Sequence, residues 1–254
     1  MSEFNFNPLM NKNGLHQNTP SGFTSALTAP EIRQGILKTY AWMTGGILIT
    51  TVTAVLAGLF FTSPWMAGMI QALPTLRLIS LGVMVVLTIA ISALFQKVST
   101  ATTRLLFLAN AVNTGLLISA GCLYLPLQVV AAAAGISVAF FGCLVFIGFT
   151  TKADLTKIGT ISGAALGAMI IGTLVMMLLG FSVSQILISS VGLISFAGLT
   201  AWDVQHINQK MADFEGNPAE QEKWVIYFAT ILYLDFINIF LYILRLLSKT
   251  SSSK

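Results

Sequence analysis

The sequence predicts an all-α membrane protein, a bundle of seven transmembrane helices, and three observations carry that prediction. Hydrophobic residues make up 56% of the chain, charged residues only 9%, and the mean hydropathy is +0.84. A water-soluble domain usually carries roughly a quarter charged residues, so too few charges are present for a surface that faces water alone. Apolar stretches near the ~20 residues that a helix needs to cross a bilayer recur along the chain between short polar breaks. The third observation is that these runs are continuous rather than alternating, which selects helices over barrel strands.

Residues 1–30 are polar and rich in Asn (Asn5, Asn7, Asn11, Asn13, Asn18), with no apolar core leading to a small-residue cleavage site. They read as a disordered polar tail rather than a signal peptide. Ala29-Pro30-Glu31 marks the start of an amphipathic lead-in, because proline is tolerated at the first helical position. Residues 31–254 then form the seven-helix domain. The first span is Tyr40–Phe61, followed by Ser63-Pro64; the second is Leu78–Phe95, preceded by Leu73-Pro74. The third, Leu105–Tyr124, stops at Leu125-Pro126 and carries Asn110 and Asn113 one turn apart, a pair expected to hydrogen-bond a neighbouring helix. The fourth is Leu127–Phe149. The fifth, Ile158–Gly180, places Gly159, Gly163 and Gly167 on one face, where close packing inside the bundle is favoured over a homodimer contact. The sixth, Ser184–Trp202, and the seventh, Val225–Leu247, are joined by a loop from Asp203 to Trp224 that holds Gly216-Asn217-Pro218. Cys122 and Cys143 lie inside apolar segments and read as small hydrophobes, not as a disulfide framework or a zinc site.

The net charge of +4 is a topology signal. Lys12, Arg33 and Lys38 precede the first span; Lys97 and Arg104, Lys152 and Lys157, and Lys210 and Lys223 occupy every second connection, while the opposite loops contribute only Arg77. The positive-inside rule therefore puts the amino terminus in the cytoplasm. Seven full crossings put Arg245, Lys249 and Lys254 on the other side, against that pattern. No basic stripe interleaved with aromatics exists, which excludes a nucleic-acid surface. The expected partner is the lipid bilayer.

Nine carboxylates are present. Glu3, Glu31, Asp213, Glu215, Glu220 and Glu222 fall in the tail or the last loop, and Asp154 in a short basic connection. Asp235 is different, because it sits in mid-span within Leu232-Tyr233-Leu234-Asp235-Phe236-Ile237-Asn238. A charged group there costs at least ~2.5–3.5 kcal/mol to insert, so it must face the bundle interior, a water-filled cavity or a partner. Asn238 lies one turn on. Asp203 ends the sixth span, with Thr200 one turn before it and His206 one turn after. Asp203 is either solvated at the membrane surface or deep enough to meet Asp235. If the two meet, they cannot both ionise comfortably and share a proton, which makes a proton-sensitive site. The same oxygens suit a hard cation such as calcium. His206 reads as an exposed loop histidine. No Gly-rich phosphate loop, His-Glu-x-x-His motif or Gly-x-Ser-x-Gly elbow occurs. An intramembrane aspartyl protease lacks its Gly-x-Gly-Asp here, since Tyr233-Leu234 precedes Asp235. The chain is expected to be no enzyme and to hold no tightly bound cofactor.

Gly198-Leu199-Thr200-Ala201-Trp202-Asp203-Val204-Gln205 and Leu232-Tyr233-Leu234-Asp235-Phe236-Ile237-Asn238 resemble the two signature segments of the Bax inhibitor motif family. Tyr40-Ala41-Trp42-Met43-Thr44 and Gly148-Phe149-Thr150-Thr151-Lys152-Ala153-Asp154-Leu155 resemble its other recurrent patches. The likeness covers residues 31–247 and is strongest to the bacterial inner-membrane branch. It implies six helices around a central seventh, a paired-aspartate site of Asp203 and Asp235 with Asp203 deeper than hydropathy suggests, and a pH-sensitive calcium leak in which calcium is the transported ion. Some bacterial relatives are linked instead to modulation of a membrane-bound protease, and eukaryotic ones to suppression of cell death. Where the family commonly has Tyr and Thr around the first aspartate, Trp202 and Val204 stand here, a larger ring and a lost hydroxyl. Some members latch that aspartate with an arginine at the start of the third helix; Lys97 and Arg104 fall near that place, and lysine lacks the planar fork.

Overall fold

The computed structural model describes residues 30–64, 73–123, 125–179, 184–214 and 218–252. The expected tail falls almost wholly on residues 1–29, outside them. Seven α-helices run through the described residues, with no strand among them: α1 (Pro30–Phe61), α2 (Leu73–Leu94), α3 (Thr100–Cys122), α4 (Leu127–Thr150), α5 (Thr156–Leu178), α6 (Gln185–Ala212) and α7 (Pro218–Ser252). Six of them, all but α5, are long and apolar enough to cross a membrane among the described residues. Helix α5 matches them in length with 23 residues, and Lys157 in its first turn is its one charged residue.

Local chemistry explains the ends. Pro30 opens α1 with Glu31 in its first turn, where the carboxylate meets the positive end of the helix dipole. Ser99 caps α3, its hydroxyl accepting from Thr102 N at 3.2 Å. Asp154 does the same ahead of α5, accepting from Thr156 N at 2.9 Å. Those bonds to Thr156 hold the Asp154 carboxyl below the usual carboxylate range.

Several expected span ends move, and two of them bear on the site. Helix α6 runs on to Ala212 rather than stopping at Trp202, and α7 begins at Pro218 rather than at Val225. Hydropathy loses the helix where polar residues begin, but nothing between Trp202 and Ala212 breaks a helical backbone. Most of the expected Asp203–Trp224 loop is therefore helical. Helix α7, with 35 residues, is about 52 Å long and exceeds the ~30 Å hydrocarbon thickness.

Helix α7 is the axis of the bundle. It packs on α1, α3, α4 and α6, while α2 lies on α3 and α5 on α6 as outer elements. Its Val225, Ile226, Phe228, Leu232, Tyr233 and Ile239 are all but inaccessible. The outer faces carry exposed Leu, Ile and Val, such as Leu78, Val86, Ile170 and Ile194, as a lipid-facing surface requires. Two glycines allow backbones to touch. A Cβ on Gly115 would lie 2.7 Å from the Thr50 carbonyl oxygen, and one on Gly148 would lie 2.7 Å from that of Ala201. The second contact seats α4 against α6 beside Asp203. In α5 only Gly159 packs tightly, against the Trp202 ring; a Cβ on Gly163 or Gly167 would meet nothing within 4 Å. Packing inside the bundle therefore accounts for one member of that stripe. Asn110 and Asn113 do bridge helices, donating to Thr88 Oγ1 at 3.4 Å and to the Ser80 carbonyl at 2.8 Å on α2.

Candidate functional site: a buried aspartate pair

Asp203 and Asp235 face each other across the α6–α7 contact, 7% and 4% exposed. Their carboxyl groups lie within side-chain interaction range of one another, and Thr200 lies in the same range of Asp235. The cluster is loose, since Asp235 Oδ2 and Thr200 Oγ1 have no hydrogen bond of good geometry. Asp203 is thus interior rather than solvated at a helix end, because α6 continues beyond it. Tyr227, two turns before Asp235, lies within electrostatic reach of Asp203. Phe95, just past α2, stacks on Tyr227 with ring centroids 4.2 Å apart and planes 14° apart, and meets Trp224 edge-on at 4.9 Å. These rings pack together around Tyr227 near the start of α7.

Neither carboxylate has a cationic partner among the described residues, where Arg104 pairs with Glu222 and Lys210 with Asp213. Lys97 lies exposed in the turn between α2 and α3, and Arg104 is engaged elsewhere. The Arg104 guanidinium pairs with Glu222 of α7 and sits 5.5 Å from the centroid of Trp42 on α1. The structure therefore brings Asp203, Asp235 and Thr200 together and leaves both latch candidates apart from them. Asn238 donates to the Leu234 carbonyl of its own helix at 2.8 Å. His206 is part of α6, half-buried and stacked on Trp202 at 5.2 Å, not in a loop.

Two supports were not legible as such. Gln205 accepts from Leu155 N at 2.9 Å and donates to the carbonyls of Thr151 and Ala153 at 3.2 and 2.8 Å, tying the α4–α5 connection to α6 beside Asp203. Its adjacency to Asp203 was the one available signal. Tyr233 donates to Thr50 Oγ1 at 2.7 Å, and Thr50 donates to the Ala111 carbonyl at 2.9 Å, which joins α7 to α1 and α3 behind the site.

Two carboxylates and one hydroxyl can bind a hard cation only with water completing its shell, since calcium takes 6–8 oxygens. No group of three His, Cys, Asp or Glu side chains gathers among the described residues.

Fold and site together define a polytopic α-helical membrane protein with an intramembrane acidic pair on its last two helices. The sequence pattern of the family Inhibitor of apoptosis-promoting Bax1 matches residues 32–252. The chain belongs to that family and is an integral membrane protein. It is similar to the inner membrane protein YbhL of Escherichia coli K12, 31% identical over 213 residues, covering 82% of this chain and 88% of that one. A Deinococcus radiodurans protein is 33% identical over 225 residues, covering 88% and 94%. The Lactococcus lactis protein YrjE is 33% identical over 210 residues, covering 82% and 88%.

Proposed function

We propose that this chain forms a passive, proton-sensitive leak pathway for cations, calcium first among them, in a bacterial inner membrane. The observation that carries this is the buried, unneutralised pair Asp203–Asp235 in the middle of a lipid-embedded bundle. Intramembrane carboxylates are costly, face the bundle interior or a water-filled cavity, and mark ion pathways and proton relays. Ionised, the pair attracts a cation and supplies the oxygens it prefers. Protonated, it loses the charge that holds the ion. Thr200 offers a further oxygen at the pair. The chain acts without catalysis and without a tightly bound cofactor. The basic residues in the opening turns of α1 and at the helix ends flanking alternate connections support a cytoplasmic amino terminus, and the location named for the Escherichia coli relative supports the inner membrane.

The test is calcium entry into dye-loaded liposomes holding the purified protein, from pH 5 to 8, beside Asp203→Asn and Asp235→Asn. Flux that varies with pH and changes in both variants is expected. Flux no greater than in empty liposomes at every pH would overturn the pathway. It would point instead to a regulator of another membrane protein, such as a membrane-bound protease.

A further inference from the structure

A second feature lies apart from the aspartates, towards the far ends of α1 and α3. There α1, α3, α4 and α7 enclose a cavity of about 450 Å³, within the ~300–1,000 Å³ range of small-ligand sites. Helices α1 and α4 touch near their other ends through Tyr40 and Phe149, ring centroids 6.1 Å apart. Further along, the cavity lies between them. Its inner wall is Phe236, Ile237 and Phe240 of α7; its rim includes Val55, Leu127 and Val138, which are exposed on the lipid side.

The lining is almost entirely apolar, so water finds few partners in it. Thr51 donates to the Ile47 carbonyl and Thr50 to that of Ala111, so both hydroxyls are satisfied within the protein. Ser119 is the exception. It lines the cavity, is 4% exposed, and its Oγ has no hydrogen-bond partner. Positive charge stands within a turn of it along α3. Cys122 also lines the cavity and lies in the field of Arg77, whose guanidinium carbon is 4.0 Å from where a Cβ on the adjacent Gly121 would sit. Arg245 of α7 lies within electrostatic reach of Arg77. Neither arginine forms an ion pair among the described residues. Two like charges drawn together without a carboxylate suit a phosphate, which guanidinium groups bind through paired hydrogen bonds.

We propose that this cavity binds one acyl chain of a membrane glycerophospholipid, with an ester oxygen at Ser119 and the phosphate at Arg77 and Arg245. The lipid closes the gap between α1 and α4, supplies Ser119 with an acceptor and neutralises the arginines. This assignment is independent of the cation pathway. A lipid bound here would change how far α1 and α4 can separate.

Native mass spectrometry of the full chain released from detergent tests it, using phosphatidylglycerol and a diacylglycerol of the same acyl chains. The wild-type protein is expected to retain phosphatidylglycerol in preference to diacylglycerol. Ala134→Phe, which fills the cavity from α4, should lose both; if that variant does not fold, Ser119→Leu fills it from α3 and is read the same way. Arg77→Gln combined with Arg245→Gln should abolish the preference while still retaining lipid. Ile170→Phe, on the exposed face of α5, should behave as wild type. Cavity-filling variants that retain phosphatidylglycerol at wild-type occupancy would overturn the site. An equal loss in Ile170→Phe would reduce the adducts to the general lipid belt and overturn it as well. An unchanged preference in the double arginine variant would remove the phosphate contact.

Discussion

Asp235 is the one carboxylate whose place in the chain demands an explanation, and its neighbours supply it. The side chain is held between α6 and α7 with Asp203 and Thr200 in range and no cation to neutralise it. An amide of the same shape removes the charge at little packing cost. Asp235→Asn should therefore keep or raise the thermal unfolding midpoint in detergent while it changes calcium flux, and flux should lose its pH dependence. A large drop in that midpoint would instead mark Asp235 as a structural hydrogen-bonding group. Gln205 is the opposite case, because its three bonds satisfy backbone groups at Thr151, Ala153 and Leu155. Gln205→Ala leaves those groups unpaired, at about 1–3 kcal/mol for a buried one. The expected result is a lower unfolding midpoint, with the conservative Gln205→Glu intermediate because it retains only the acceptor for Leu155.

Contacts between helices set the environment of that pair. Arg104 and Glu222, near the starts of α3 and α7, meet Trp42 of α1 and hold three of the inner elements together. Trp42 in turn meets Phe107 edge-on at 6.2 Å, and Phe107 meets Tyr233 at 5.5 Å, so the ion pair is connected to the core by packed rings. Both charged side chains are partly exposed, which limits the pair to about 0–1 kcal/mol of stability. Its larger effect is expected on how readily the helices part. Arg104→Ala and Glu222→Ala should each alter flux with little change in unfolding midpoint, and exchanging the two residues should restore it. Single and exchanged variants that all match wild-type flux would leave the pair as surface decoration.

At the level of topology, the tail and the loops carry the orientation. In a Cys122→Ser, Cys143→Ser background, Ser2→Cys should react with a membrane-impermeant maleimide in inside-out vesicles and stay unlabelled in right-side-out ones. The reverse pattern would invert the bundle and with it the side from which cations enter. The arrangement around α7 is the other overall feature. Four helices pack on it directly, and α2 and α5 lie outside them on α3 and α6. The helix bearing Asp235 is thus the enclosed one, and α2 and α5 lie at the periphery.

Much of this was readable from residue order. Composition and run length specified helices in a bilayer, because lipid admits only helices or closed barrels and continuous apolar runs exclude the alternation of barrel strands. Pro30, Leu125-Pro126 and Pro218 marked helix boundaries that the structure keeps, since proline acts on the backbone locally. Asp235 was conspicuous for the same kind of reason, a local cost that hydropathy registers directly. The depth of Asp203 was not readable that way. It depends on α6 continuing through polar residues and on the register between α6 and α7, and both are settled by packing. The partners of Arg104 and Gln205, the outward turn of Gly163 and Gly167, and the cavity beside Ser119 share that origin. Each depends on which helix faces rest on one another, and periodicity along a chain whose helices are apolar nearly all round does not encode that choice.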